Sequence, residues 1–176
     1  VVPGTVGGRE AHPPKAEKVL SEKINKKELR KAIKSAIAAT ANKNLIHSHG
    51  HILDGVKAIP LVVDDSICDL TKTKQVLKTL SSLGLEKEIL RASVVLQRSG
   101  KGKMRNRRYR RKKSVLIVIP NARKSSYKVF ENITGVDVST SDQLSISLLA
   151  PGSNAGRLTI WTKSALKEIE KRFENK

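Results

Sequence analysis

Apolar residues recur along this chain at two spacings, and the alternation between them predicts its architecture. From Asn25, a candidate cap, Leu29, Ile33, Ala36, Ile37 and Thr40 repeat at helical steps, while Lys26, Lys27, Arg30, Lys31 and Lys34 fall mainly on other faces. One amphipathic helix is expected there, ending within residues 41–44. Residues 59–63 form a short β-branched run closed by Asp64 and Asp65, the pattern of a buried strand. A helix follows, with Asp69 or Thr71 as its cap, Val76, Leu77, Leu80 and Leu83 as its buried stripe, and Gly84 as a left-handed C-terminal residue. Residues 86–94 read as a second short helix, or as a helix passing into a strand.

The strongest strand signal is Ser114-Val115-Leu116-Ile117-Val118-Ile119, ended by Pro120. Beyond it the pattern predicts a helix over 125–132, a strand over 136–139, a helix over 141–149, a strand over 157–161 and a last helix over 162–173. Thr162 is the expected cap of that helix, and Ala165, Leu166, Ile169 and Phe173 are its apolar stripe. Parallel strands need crossover helices, so this alternation implies an α/β fold: an open, mostly parallel sheet of about four strands with flanking helices. Residues 1–18 hold six Gly and Pro residues without either period, which predicts an extended basic N-terminal arm. The expected organisation is an arm over 1–24 and a single α/β domain over 25–176, with a basic loop inserted at 98–113.

Charge changes this picture from a generic α/β domain to a binder of polyanions. Of a formal net charge of +19, residues 1–34 carry +5, residues 35–97 carry +1, residues 98–113 carry +10 and residues 114–176 carry +3. Such segregation marks binding segments on an otherwise ordinary domain. The run over 98–113 has ten cations and no acid, whereas a solvated helix face interleaves Glu or Asp for i,i+4 pairs. A segment so charged is expected to stay extended until phosphates lie between its side chains. Arg98, Lys101, Lys103, Arg105, Arg107, Arg108, Arg110, Arg111, Lys112 and Lys113 are candidate phosphate contacts, and Tyr109 offers a ring for stacking. Gly100 and Gly102 allow close backbone approach. A localisation signal is the alternative reading of the run. With about 3% aromatics the chain lacks a base-stacking platform, so phosphate and shape contacts to a large folded RNA are expected to dominate.

Other constellations carry less chemistry. No G-x-G-x-x-G follows a strand, and Ser99-Gly100-Lys101-Gly102-Lys103 lacks the spacing of a phosphate-binding loop and precedes a strand instead of a helix. Asp64 and Asp65 end the first strand where open α/β sheets bind ligands, but adjacent strand residues point to opposite faces, so loop solvation and helix capping are expected. His47, His49 and His51 would share one face of a strand, yet Gly50 and the absence of a supporting acid or Cys favour a surface loop over a metal site. The single Cys68, beside Ile67 and Leu70, is expected to be a packing thiol in a reducing compartment. No apolar stretch approaches the ~20 residues that span a bilayer. No catalytic residue, metal or cofactor is expected, although an RNA-modifying enzyme and a regulatory RNA or DNA binder remain as alternative functions.

Four blocks carry a resemblance. They are Gly8-Arg9-Glu10-Ala11-His12-Pro13-Pro14-Lys15; Lys34-Ser35-Ala36-Ile37-Ala38-Ala39-Thr40-Ala41; Arg98-Ser99-Gly100-Lys101-Gly102-Lys103-Met104-Arg105 with Arg107-Arg108-Tyr109; and Leu149-Ala150-Pro151-Gly152 with Gly156-Arg157-Leu158-Thr159. In that order they closely resemble the archaeal and eukaryotic form of the large-subunit ribosomal protein L-four family. The resemblance implies a non-enzymatic constituent of the cytoplasmic ribosome, with an α/β core on the large-subunit ribosomal RNA, neighbouring ribosomal proteins as partners, and neither a membrane nor a small-molecule substrate. It implies that the arm is the returning limb of a loop lining the peptide exit tunnel, with Arg9, His12, Lys15 and Lys18 along RNA. Arg157 is a further, weaker RNA candidate. The family's first strand, first helix and outgoing loop limb precede these residues and are not among the 176; an isolated chain without them is expected to expose an apolar sheet edge and to be marginally stable.

Overall fold

The computed structural model describes residues 6–8, 11–122 and 127–174. Four parallel strands, β1 (Leu61–Val63), β4 (Leu116–Ile119), β5 (Asp137–Thr140) and β6 (Thr159–Thr162), form a sheet in the order β1-β6-β4-β5. The register sets Ile117 between Ile160 and Val138, and Leu61 beside Ile160. Between β1 and β4 the chain also forms a two-stranded antiparallel ribbon, β2 (Leu96–Gln97) with β3 (Tyr109–Arg110).

The run Leu116 to Ile119 is apolar at every position because both faces of the sheet are covered. Ile117 and Ile119 face one cluster with Val76 and Leu80 of α3 (Thr73–Ser82), Phe130 of α5 (Tyr127–Glu131), Ile160 and Val138. Leu116 and Val118 face the other, with Ile33 and Ala36 of α1 (Lys26–Ala39), Leu149 of α6 (Ile146–Leu149), and Ala165 and Ile169 of α7 (Lys163–Glu174). Successive strand side chains point to opposite faces, so a continuous apolar run in the centre serves two layers of helices. All four β4 residues are fully buried, and burying each such side chain stabilises the fold by roughly 1.5–3 kcal/mol. Cys68 packs in the first cluster, as expected of a packing thiol.

The element boundaries depart from the sequence expectations at several helix ends. Asn25 stands at the N-cap of α1 without a side-chain bond, and α1 stops at Ala39, where the Thr40 hydroxyl donates to the Ile37 carbonyl at 2.7 Å. A separate short helix, α2 (Lys43–Ser48), then starts with the Asn42 side chain accepting from Asn44 N–H at 3.0 Å. Neither Asp69 nor Thr71 caps α3; Asp69 ends a 3-10 turn over Asp65–Asp69, and Gln75 accepts from the Lys72 N–H. Residues 86–94 hold the short helix α4 (Glu86–Ser93), and β2 begins beyond them at Leu96. The helix expected over 141–149 is reduced to α6, and part of that expected over 125–132 lies outside the described residues.

Thr162 does not cap α7, because its hydroxyl donates to the Val118 carbonyl within the sheet. The cap comes instead from Asp65, which accepts from Ser164 N–H at 3.1 Å and from the Ser164 hydroxyl. Asp64 meets Lys163 in an exposed ion pair at 2.5 Å. Both acids after β1 thus serve the start of α7. Gly84 takes φ +82° after α3, and its Cα packs so tightly on Gly55 that an added Cβ would lie 1.9 Å from the Gly55 carbonyl oxygen.

Candidate nucleic-acid interface

The basic run is more ordered than its charge predicts. Its backbone folds back on itself: Arg98 N–H donates to the Arg108 carbonyl at 2.8 Å, extending the β2–β3 pairing, and Arg107 N–H donates to the Gly102 carbonyl at 3.0 Å. A 3-10 turn over Lys101–Lys103 forms the tip, entered through Gly100 at φ +74°. The backbone groups satisfy one another while the side chains remain in solvent, so the repulsion that opposes burial does not oppose a ribbon. A Cβ on Gly100 or Gly102 would meet nothing within 4 Å, so both glycines leave open backbone.

Arg98, Lys101, Lys103, Arg105, Arg107, Arg108, Arg110, Arg111, Lys112 and Lys113 are all exposed on this ribbon, as is Tyr109 at 56%. Arg98 Nε donates to the Tyr109 carbonyl at 3.2 Å, a neutral partner that orients the guanidinium without cancelling its charge. Lys113 differs from the rest: its ammonium is 2.8 Å from an Asp137 carboxylate oxygen. Among the described residues, no other cation of the run makes an ion pair.

A buried polar network roots the ribbon in the core. Glu88 of α4 is fully buried and its carboxylate accepts from His51 Nδ1 at 2.7 Å, Ile52 N–H at 3.0 Å, Arg91 Nη2 at 2.6 Å and Nε at 2.8 Å, and the Ser114 hydroxyl at 3.0 Å. Burial pushes this carboxyl up, but the bonds from Arg91, His51 and Ile52 outweigh it and bring it down to about 2. Arg91 also donates to the Lys113 carbonyl at 2.8 Å, so the base of β3's strand leaves the core through a fixed point. Gly135, at φ +82°, passes beside that point; its carbonyl accepts from Ser114 N–H at 2.7 Å, and a Cβ there would lie 2.7 Å from the Lys112 carbonyl.

Arg157 belongs to this root and not to the surface. It is fully buried, its Nε donates to the Ser114 carbonyl at 2.8 Å, its Nη1 to the Leu148 carbonyl at 2.9 Å, and its Nη2 lies 2.7 Å from Asp137. With its guanidinium engaged inside the core, Arg157, the weaker RNA candidate, stands apart from the exposed cations of the ribbon. Burial pulls it below its ordinary value and Asp137 opposes that pull. At Asp137, burial raises the carboxyl, but Lys113 and Arg157 together hold it below the usual carboxylate range.

The histidine cluster is also not a surface loop. His47 lies on α2, His51 is 2% exposed, and His49 stacks on it with ring centroids 5.1 Å apart. The His49 imidazole is pulled down by burial and by His51 beside it. In the arm, His12, Lys15 and Lys18 lie on exposed backbone without helix or strand, while Arg9 lies outside the described residues. The sequence reading missed Glu88, Arg91 and Asp137. Glu88 and Arg91 at i,i+3 were visible as a pair, but nothing local marks that pair as buried.

A parallel α/β core with a cationic ribbon rooted in it by buried ion pairs defines the class: a basic scaffold protein whose charge is presented, not dispersed. The model of the Ribosomal protein L4/L1 family matches residues 1–172, and the chain belongs to that family. It is 49% identical over 173 residues to the large ribosomal subunit protein uL4 of Methanococcus aeolicus, covering 98% of this chain and 68% of that relative. The uL4 proteins of Sulfurisphaera tokodaii and Archaeoglobus fulgidus are 46% and 47% identical, covering 100% and 96% of this chain and 66% of each relative. The chain is therefore a structural protein of the large ribosomal subunit, a cytoplasmic ribosome component and not an enzyme.

Proposed function

We propose that this protein binds folded large-subunit ribosomal RNA through the ribbon at 98–113, and that its arm over 1–24 contributes to the wall of the peptide exit tunnel. The observation that carries the reading is the ribbon itself: nine exposed cations without an ion pair among the described residues, on a backbone that is already ordered. Preordering matters because a free basic tail would lose conformational freedom on binding, whereas a rooted ribbon has lost much of it in folding. Arg and Lys side chains then supply forked and point-charge donors to phosphate oxygens, and Tyr109 supplies a stacking face. For the arm, the supports are its resemblance block, the exposed irregular backbone of its described residues, its cations Arg9, Lys15 and Lys18, and the imidazole of His12. The domain over 25–176 acts as the anchor.

Affinity for a large-subunit RNA fragment, measured against salt, tests the ribbon. Contact with six to ten phosphates gives a fall of roughly 10³–10⁵ in affinity between 50 and 200 mM salt. Changing Lys101, Lys103, Arg105, Arg107 and Arg108 to Gln is expected to flatten that dependence, and an unchanged slope would sink the assignment. A photo-crosslinking residue at His12, in assembled subunits carrying a stalled nascent chain, tests the arm; crosslinks to neither RNA nor nascent chain would remove it from the tunnel.

A further inference from the structure

The charge on α1 has no part in the ribbon, yet it is organised. Lys27, Arg30, Lys31 and Lys34 stand at i, i+3, i+4 and i+7, a spacing that brings all four to one side of the helix. With Arg172 and Phe173 near the end of α7 they line a cleft of about 350 Å³, with five cations and no acid in its walls. The Lys34 ammonium lies 5.5 Å from the centre of the Phe173 ring and the Arg172 guanidinium carbon 5.6 Å from it. Phe173 packs against the apolar cluster beneath α1 and α7, so the ring is held and both cations are held to it.

Arg172 is fixed a second time, its Nη1 donating to the Ser141 carbonyl at 2.7 Å. That partner is neutral, so it positions the charge without cancelling it. Glu168, one turn earlier on α7, is already engaged by Asn121 N–H at 3.1 Å and by the Ser141 hydroxyl. None of the five cations makes an ion pair with another described residue. Five like charges lining one cleft disfavour one another until an anion lies among them.

We propose that this cleft is a second RNA contact, separate from the ribbon, which takes successive phosphates of a folded RNA backbone between the α1 row and the Lys34–Phe173–Arg172 stack. Lys27 and Lys34 are seven residues apart, which is about 10.5 Å along the helix, so the row is a line of charge suited to a continuous polyanion. An acidic protein segment would seek an apolar anchor pocket as well, and the one ring here is faced by cations. The row also continues in sequence from the exposed arm, through Lys15, Lys18 and Lys23. That the RNA is large-subunit ribosomal RNA rests on the function proposed above; the chemistry of the cleft does not.

The test is the salt dependence of binding for the whole chain, for Lys27→Gln with Lys31→Gln, and for the ribbon variant, on a large-subunit RNA fragment. Both α1 positions are exposed, and circular dichroism checks that the fold is retained. Loss of two phosphate contacts is expected to lower the log–log slope by about 1.8, so the affinity fall between 50 and 200 mM shrinks about tenfold, in addition to the ribbon's effect. An unchanged slope with the RNA still bound overturns the inference and leaves the ribbon's function standing. Failure of the unaltered chain to bind overturns both. Poly-glutamate binding that is lost in the α1 variant while the RNA slope stays unchanged would give the cleft to an acidic protein and overturn the RNA contact.

Discussion

Replacing Glu88 by Gln should remove about 3 kcal/mol of stability at the ribbon's root. The substitution keeps shape but deletes the charge that five donors converge on. Two magnitudes can be set side by side. Breaking a buried ion pair by removing one partner costs roughly 3–5 kcal/mol, toward the lower figure here because Arg91 is 16% exposed and can turn to solvent. Independently, the carboxyl drops from 4.5 to about 2 in the folded protein, which at 1.36 kcal/mol per pH unit is about 3 kcal/mol. A depressed carboxylate contributes fully above its unfolded value, so this stabilisation is present above pH 4.5 and is lost as the pH falls toward about 2. Urea unfolding of both proteins at several pH values measures it. The native protein is expected to lose about 3 kcal/mol more than the variant across that window, with the urea dependence unchanged. Parallel pH profiles, or a variant within about 1 kcal/mol of native at pH 7, would refute the reasoning.

Two further outcomes follow from the same structure. Arg157→Met should destabilise by roughly 3–5 kcal/mol, because it leaves Asp137 and three carbonyls without their buried donor, yet the salt slope of RNA binding by the folded fraction should not move; a flattened slope would place Arg157 at the interface. Gly84→Ala should cost more in urea unfolding than Gly100→Ala, since it sets a side chain at positive φ and also against the Gly55 backbone, whereas Gly100→Ala, with open space around it, should cost roughly 1–3 kcal/mol from its backbone conformation alone.

Much of the fold is legible in the chain because its signals are local. The apolar run at Leu116 to Ile119, the stripes at Val76 and Leu80 and at Ala165 and Ile169, and the glycine after α3 each report their element from within a few residues. The sheet order β1-β6-β4-β5 does not follow from them, since strand pairing is settled by contacts between residues far apart in the chain. Helix ends were the weakest readings for the same reason: the cap of α7 is Asp65, 99 residues before the amide it accepts from, and no spacing rule reaches that far.

The sequence by itself determined that this protein is an α/β domain carrying most of its excess charge in defined segments, because periodicity and charge density are properties of neighbouring residues. Only the tertiary structure decided what each charge does. Arg105 and Arg157 both stand in family-like blocks, and one is held out on a ribbon while the other lies in the core against Asp137. His51, which shares its pattern with His47, ends beside Glu88. Lys34 and Arg172, far apart in the chain, meet over Phe173. A charge is an interface, a strut or a root according to what the fold brings within a few ångströms of it, since the energy of a charge depends on its dielectric surroundings and its partners far more than on its place in the chain.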